Sequence, residues 1–258
     1  MKILLIIPLL YVIAVPVWLS YHYGSKPCND ISIIICDSSD YDFVTRKQLL
    51  SIVNSREGSL LGRPQRSVPL REIEGKVREL KELRKAEAYM SIDGILNVDI
   101  YQREPIMRVI PDSGGDFFID GDGVLIRKRR LYSPRLHIVG GDITISRKML
   151  EGTSILDAGT GNTILKDAYH FVRFITRDDF WSAQIDQIYV DRRGKIDLIP
   201  RAGNHRIHLG TFENFEGKLK NLAAFYENVL PETGWDKYSV INLEFRDQVV
   251  CKKRQQAK

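Results

Sequence analysis

Cysteine is scarce: Cys28, Cys36 and Cys251 are the whole complement of a 258-residue chain. They form no CxxC and no spacing that suits a metal, which excludes a zinc module and a disulfide-dense scaffold. Two readings of them stay open: unrelated small apolar residues, or a Cys28–Cys36 disulfide if that part lies in an oxidising compartment. Charge of one sign is also in short supply. The net charge is +5, part of it in the tail from Lys252-Lys253-Arg254 to Lys258, and no stretch interleaves basic with aromatic residues. A nucleic-acid platform is therefore not expected.

Catalytic groupings are missing as well. His205 and His208 stand three apart in an expected strand, so they point to opposite faces and make a poor shared metal site. Asp120-Gly121-Asp122-Gly123 has the look of a calcium loop but lacks the closing acid at its twelfth position, where Leu131 stands; a hairpin turn explains it. Ile155-Leu156-Asp157-Ala158-Gly159-Thr160-Gly161-Asn162 looks like a cofactor-binding glycine loop. Thr163 replaces the third glycine, however, and too little chain follows for a doubly wound sheet, so a polar loop entering a helix is expected. Asp178 and Asp179 end that helix without an acid or base partner. No catalytic residue, cofactor or metal ligand is nominated.

What the chain does contain is one long apolar run. Ile3 to Leu19 carries no charge, and as a helix it rises roughly 26 Å, close to the hydrocarbon thickness of a bilayer. Trp18, Tyr21 and Tyr23 supply rings suited to the headgroup level, and no small-x-small cleavage site follows. Residues 1–23 therefore read as an uncleaved anchor. The bulk of the chain is expected on the trans side, because almost nothing precedes the span.

The remainder, 43% apolar and 28% charged over the whole chain, suffices for two domains of roughly 80 and 140 residues. In residues 24–104, Ile31–Cys36 reads as a buried strand. Thr45-x-x-Gln48 has the form of a capping box ahead of the stripe Leu49, Ile52, Val53. Pro69 suits the first turn of a second helix with Leu70, Ile73, Val77 and Leu80 on one face. A strand follows with Ala86, Ala88, Met90 and Ile92 inward, then a turn at Asp93-Gly94. Leu96, Val98 and Ile100 then alternate with polar residues up to Gln102-Arg103-Glu104-Pro105, where proline interrupts the ladder. The order is β-α-α-β-β.

Residues 105–258 read as a mixed α/β domain with a largely antiparallel sheet, so the fold class is α+β. Phe117-Phe118-Ile119 and Val124-Leu125-Ile126 flank the Asp120–Gly123 turn. Arg135–Gly140 is a strand, and a helix carries Ala168, Phe171, Val172 and Ile175. Ala183–Val190 and Lys195–Ile199 flank Asp191-Arg192-Arg193-Gly194, and Arg206–Leu209 is another strand. A helix through Phe215, Leu219, Leu222, Tyr226 and Val229 ends at Pro231–Gly234. Tyr238–Phe245 is a strand with Ile241, Leu243 and Phe245 on one face.

A β-α-α-β-β unit beyond a single span, running through IYQREPIMRV into FFIDGDGVLI, resembles the FtsQ/DivIB family of cell-division proteins. Gln102, Arg103, Pro105, Ile106, Arg108 and Val109 are particularly similar to its Bacteroidetes branch. The resemblance implies a POTRA domain at 24–104 and the family's β domain at 105–258. It also implies a non-catalytic, single-pass type II inner-membrane protein at the division septum, with most of its chain periplasmic. Its implied partners are FtsB and FtsL, through which it would bear on septal peptidoglycan synthesis. FtsB is implied to dock on the last strand, where Phe245, Arg246, Asp247, Gln248, Val249, Val250, Cys251 and Lys252 line the expected site. There Phe245 would be an apolar anchor, Arg246 or Lys252 would meet acidic groups, and the Val250 amide would be a candidate donor. The alternative class is a POTRA-bearing periplasmic component of an outer-membrane assembly or secretion system.

Overall fold

The computed structural model describes residues 11–12, 14–16, 18, 25–36, 43–54, 59–128, 134–161 and 163–255. Most of the expected Ile3–Leu19 span lies outside them, as does Leu131. The described positions from 11 to 18 are helical, and Tyr11, Val12 and Trp18 are exposed. Among the described residues no helix is long and apolar enough to cross a membrane. The chain divides into two compact units, Met1–Arg103 and Glu104–Lys258.

The first unit contains β1 (Asp30–Ile35), α1 (Arg46–Val53), a 3-10 turn at Gln65–Ser67, α2 (Leu70–Arg78), β2 (Leu83–Met90) and β3 (Ile95–Gln102). Parallel strands need a crossover between them. The two helices provide it, so β1 runs parallel to β3, with β2 antiparallel on the other side in the order β1-β3-β2. Leu96, Val98 and Ile100 are fully buried beneath Leu49, Val53, Ile73 and Val77. The Thr45 hydroxyl caps α1 by accepting the Gln48 N–H at 3.3 Å. Gln102, itself buried, anchors the approach to that helix by accepting the N–H groups of Phe43 and Val44 at 3.1 and 3.3 Å.

Three expectations change here. Ile34 is 46% exposed, so β1 is covered on one face rather than buried throughout. Ile92 is 69% exposed because β2 stops at Met90 and Ile92 joins the turn. Cys28 is buried, Cys36 is exposed, and both are free. They bracket β1, and eight extended residues span about 26 Å, far beyond the roughly 4.4–6.8 Å between Cα atoms that a disulfide tolerates.

The second unit contains β4 (Pro105–Pro111), β5 (Phe117–Asp120), β6 (Leu125–Arg127), β7 (His137–Gly141), α3 (Arg147–Leu150), α4 (Thr163–Ile175), α5 (Asp179–Gln184), β8 (Ile185–Val190), β9 (Ile196–Pro200), β10 (Arg206–Gly210), α6 (Phe215–Asn228), α7 (Leu230–Thr233), β11 (Tyr238–Asn242) and β12 (Val250–Lys253). Among the described residues nine strands form one sheet, ordered β12-β11-β10-β9-β8-β7-β4-β5-β6. Five neighbouring pairs are antiparallel; β4 with β7, β7 with β8 and β10 with β11 are parallel. Ala168, Phe171, Val172 and Ile175 of α4 and Leu219, Leu222 and Tyr226 of α6 share one core with the sheet.

One turn device occurs twice. Asp120 accepts the N–H groups of Asp122 and Val124 at 3.0 and 2.8 Å, and Asp191 those of Arg193 and Lys195 at 2.8 and 2.7 Å. Gly123 and Gly194 take positive φ in the same place. Both aspartates hold hairpins in shape, a common job for this side chain. The Asp120 side chain is therefore committed to the turn.

The Arg108 guanidinium meets Asp116 at 2.8 and 2.6 Å across the β4–β5 hairpin, and Lys128 approaches the same carboxylate at 3.3 Å. Burial opposes the Asp116 charge, but Arg108 and Lys128 outweigh it and hold its carboxyl below the usual range. Arg108, one of the residues of the family resemblance, thus has a structural role. Two boundaries also move. Asp178 starts a helix rather than ending one, its carboxylate accepting the Trp181 N–H at 3.0 Å. That cap draws Ala183 and Gln184 into α5, so β8 begins only at Ile185.

Candidate partner-binding edge

The last two strands differ from the expectation in a way that relocates the sheet's edge. β11 stops at Asn242, where the Asn242 side-chain oxygen accepts the Glu244 N–H at 2.8 Å and turns the chain. Leu243 stays buried and donates its N–H to the His208 carbonyl at 2.8 Å. Phe245 leaves the strand and is 53% exposed, so it does not share a face with Ile241 and Leu243. Asp247 takes φ +55° and reverses the chain, and Val250–Lys253 returns as β12 along the outside of β11. Among the described residues, no strand pairs with the other side of β12.

The register settles which backbone groups face outward. Asn242 opposes Val250, Ile241 opposes Cys251, and Val240 opposes Lys252; the irregularity in the ladder falls between Tyr238 and Val240 on β11. Beyond the strand, the Arg254 N–H donates to the Lys237 carbonyl at 2.9 Å and so faces β11. Backbone groups alternate sides along an antiparallel strand. Val250 and Lys252 thus share Arg254's inward direction, and Cys251 and Lys253 turn their N–H and C=O groups away from the sheet. The Val250 amide is not an outward donor.

Side chains give this edge its chemistry. Val250 is 45% exposed, and Arg246, Asp247, Gln248 and Lys252 are exposed. Val249 and Cys251 pack partly against the core, and burial raises the Cys251 thiol pKa. Arg246 and Asp247 lie 3.7 Å apart with almost fully solvated side chains, an arrangement worth little to stability. Glu244 is better held: the Lys195 ammonium, with His208 beside it, keeps its carboxyl below the usual range. An open cleft of about 770 Å³ lies between the start of α6 and the β11–β12 loop, with Asn214, Gly217, Lys218, Glu244, Phe245 and Asp247 among its walls. The Arg254 guanidinium fastens the far end of β12, donating to the carbonyls of Asp236 and Asn204.

The two histidines considered from the sequence have separate structural partners. His205 Nε2 lies 2.8 Å from the Tyr226 hydroxyl, and His208 Nδ1 lies 2.7 Å from Asp197.

Comparison with known proteins agrees with this architecture. Residues 26–101 match the POTRA-like domain, and residues 104–252 match the family described as FtsQ/DivIB, C-terminal related. The chain belongs to the FtsQ/DivIB family. That second match spans most of the nine-stranded unit and ends inside β12. None of the curated proteins matches the chain. The FtsQ/DivIB family consists of non-catalytic cell-division proteins associated with the membrane-bound divisome.

Within this FtsQ/DivIB fold the eight residues from Phe245 to Lys252 fall in one segment, the turn and first three residues of the edge strand. Lys253 and Arg254 lie just beyond that segment; Lys253 turns its backbone groups outward and Arg254 pins the strand. A short apolar run, Val249-Val250-Cys251, was the available signal for β12; its four-residue length made it easy to pass over.

Proposed function

We propose that this protein is a bitopic divisome component, anchored by its N-terminal apolar run, that captures FtsB on β12 and, with FtsL, links septum assembly to septal peptidoglycan synthesis. The observation that carries this reading is the open outer side of β12. An extended segment can add to such an edge through backbone hydrogen bonds while alternate side chains supply selectivity. Phe245 and Val250 offer apolar contact there, and Arg246, Lys252 and Lys253 favour an acidic partner. The membership in a family of division proteins supports the cellular setting.

Cells depleted of the protein are expected to form filaments with unfinished septa, and crosslinked pull-downs are expected to recover FtsB and FtsL. Normal septa accompanied by defects in outer-membrane proteins would overturn the division role. For the anchor, the exposed Tyr11, Val12 and Trp18 are the support. Protein recovered from membranes is expected to begin at or near Met1, and Val12→Lys is expected to impair insertion at a cost of roughly 2.5–3.5 kcal/mol. A mature N-terminus beyond Ser20 would count against retention.

A further inference from the structure

The POTRA-like unit also has an edge strand, and it is treated differently. β2 closes the order β1-β3-β2, so one row of its backbone groups faces away from β3. Helix α2 runs beside that row. Ile73 and Val77 are buried and set the helix's rotation, and Glu74 and Arg78, one helical turn apart, fall on the flank next to β2. The Glu74 carboxylate accepts the Ala88 N–H at 3.0 Å, and the Arg78 guanidinium donates to the Ala86 carbonyl at 3.1 Å. The two side chains also face each other at 3.6 Å. The Glu74 acceptor and the Arg78 donor thus sit where the C=O and the N–H, respectively, of a neighbouring strand would be.

The strand they cover is self-complementary. Two copies of Arg84-Lys85-Ala86-Glu87-Ala88 laid antiparallel about Ala86 put Lys85 of each opposite Glu87 of the other, and Ala86 of each copy meets its twin. Opposite charges placed across strands favour pairing, and a two-fold arrangement repeats every contact. In the single chain Lys85 is spent on its own Glu87 at 2.6 Å.

We propose that Glu74 and Arg78 form a clasp that stops the β2 edge from pairing with β2 of a second copy of this chain. The clasp works by occupancy: an incoming strand needs the Ala86 and Ala88 groups that the two side chains hold, and it must also displace the side chains themselves from the edge. Natural sheets commonly guard exposed edges with charged residues for this reason. The inference does not depend on what binds β12.

The test uses the full chain in detergent. Glu74→Ala with Arg78→Ala is expected to strengthen self-association at least tenfold by sedimentation equilibrium. Amide exchange at Ala86 and Ala88 should then slow as protein concentration rises. Adding Ala88→Pro removes that outward amide and should return self-association to the parent level and make exchange at Ala86 independent of protein concentration, since proline is tolerated at such an edge position. Arg78→Ala alone, which removes a half-exposed side chain and leaves the core intact, should give a smaller increase in the same direction. Unchanged self-association in the folded variants, or association that survives Ala88→Pro, would overturn the proposal.

Discussion

A chain that ends at Phe245 is expected to lose FtsB capture altogether while its POTRA-like unit stays folded, since the deletion removes the outer strand of the sheet and every basic residue on it. A sharper version follows from the strand register. Cys251→Pro takes away an outward N–H without touching a donor to β11, and the lost hydrogen bond alone should weaken capture by about tenfold, the equivalent of roughly 1.4 kcal/mol. Cys251→Ala, which keeps the amide, should bind nearly as the parent does. Val250→Pro attacks the opposite side: its amide faces Asn242, so it should loosen β12 from β11 and raise hydrogen exchange along β11. Titration of the purified domains with an FtsB peptide separates these cases. Undiminished capture by the truncated protein would remove β12 from the interface.

Gly141→Ala should be among the most damaging single substitutions in the second unit. Gly141 ends β7 at φ +109°, and a Cβ added there would lie 2.0 Å from the Val190 carbonyl oxygen of the neighbouring β8. Neither atom belongs to a flexible side chain, so the central β7–β8 pair must separate. The expected loss is on the order of 3 kcal/mol or more, from a disfavoured backbone angle combined with a steric clash. Gly140→Ala is the control, since its nearest neighbour, the Ile110 carbonyl oxygen, lies at 3.4 Å. Urea unfolding followed through the fluorescence of Trp181 and Trp235 measures both. Equal midpoints for the two variants would contradict this account of the strand end.

Much of the local structure was legible because its causes are local. Thr45 caps the helix it was expected to cap, and the alternation of Leu96, Val98 and Ile100 names the buried face of β3. The stripe of Ala168, Phe171, Val172 and Ile175 likewise names the buried face of α4. The aspartate-led turns at Asp120 and Asp191 are each closed by side-chain hydrogen bonds within their own five residues. Elsewhere a cap or a turn overrides the local pattern: Ala183 and Gln184 follow the Asp178 cap into a helix, and Ile92 falls in the turn beyond the end of β2.

Periodicity tells a strand which face is inward, but it does not name the strand beside it. By itself the sequence determined the β-α-α-β-β order, the main strand and helix faces and the hairpin turns. It could not determine that β7 lies between β4 and β8 in parallel, that Gly141 has no room for a methyl group, or that Glu74 and Arg78 reach the backbone of β2. Nor could it determine that the open edge belongs to β12, with Cys251 rather than Val250 facing out. Each of these depends on groups distant in the chain, brought together by strand register and by the helix rotation that the core imposes. The tertiary structure alone decides which hydrogen-bonding groups remain free, because the answer for one strand depends on all the strands paired before it.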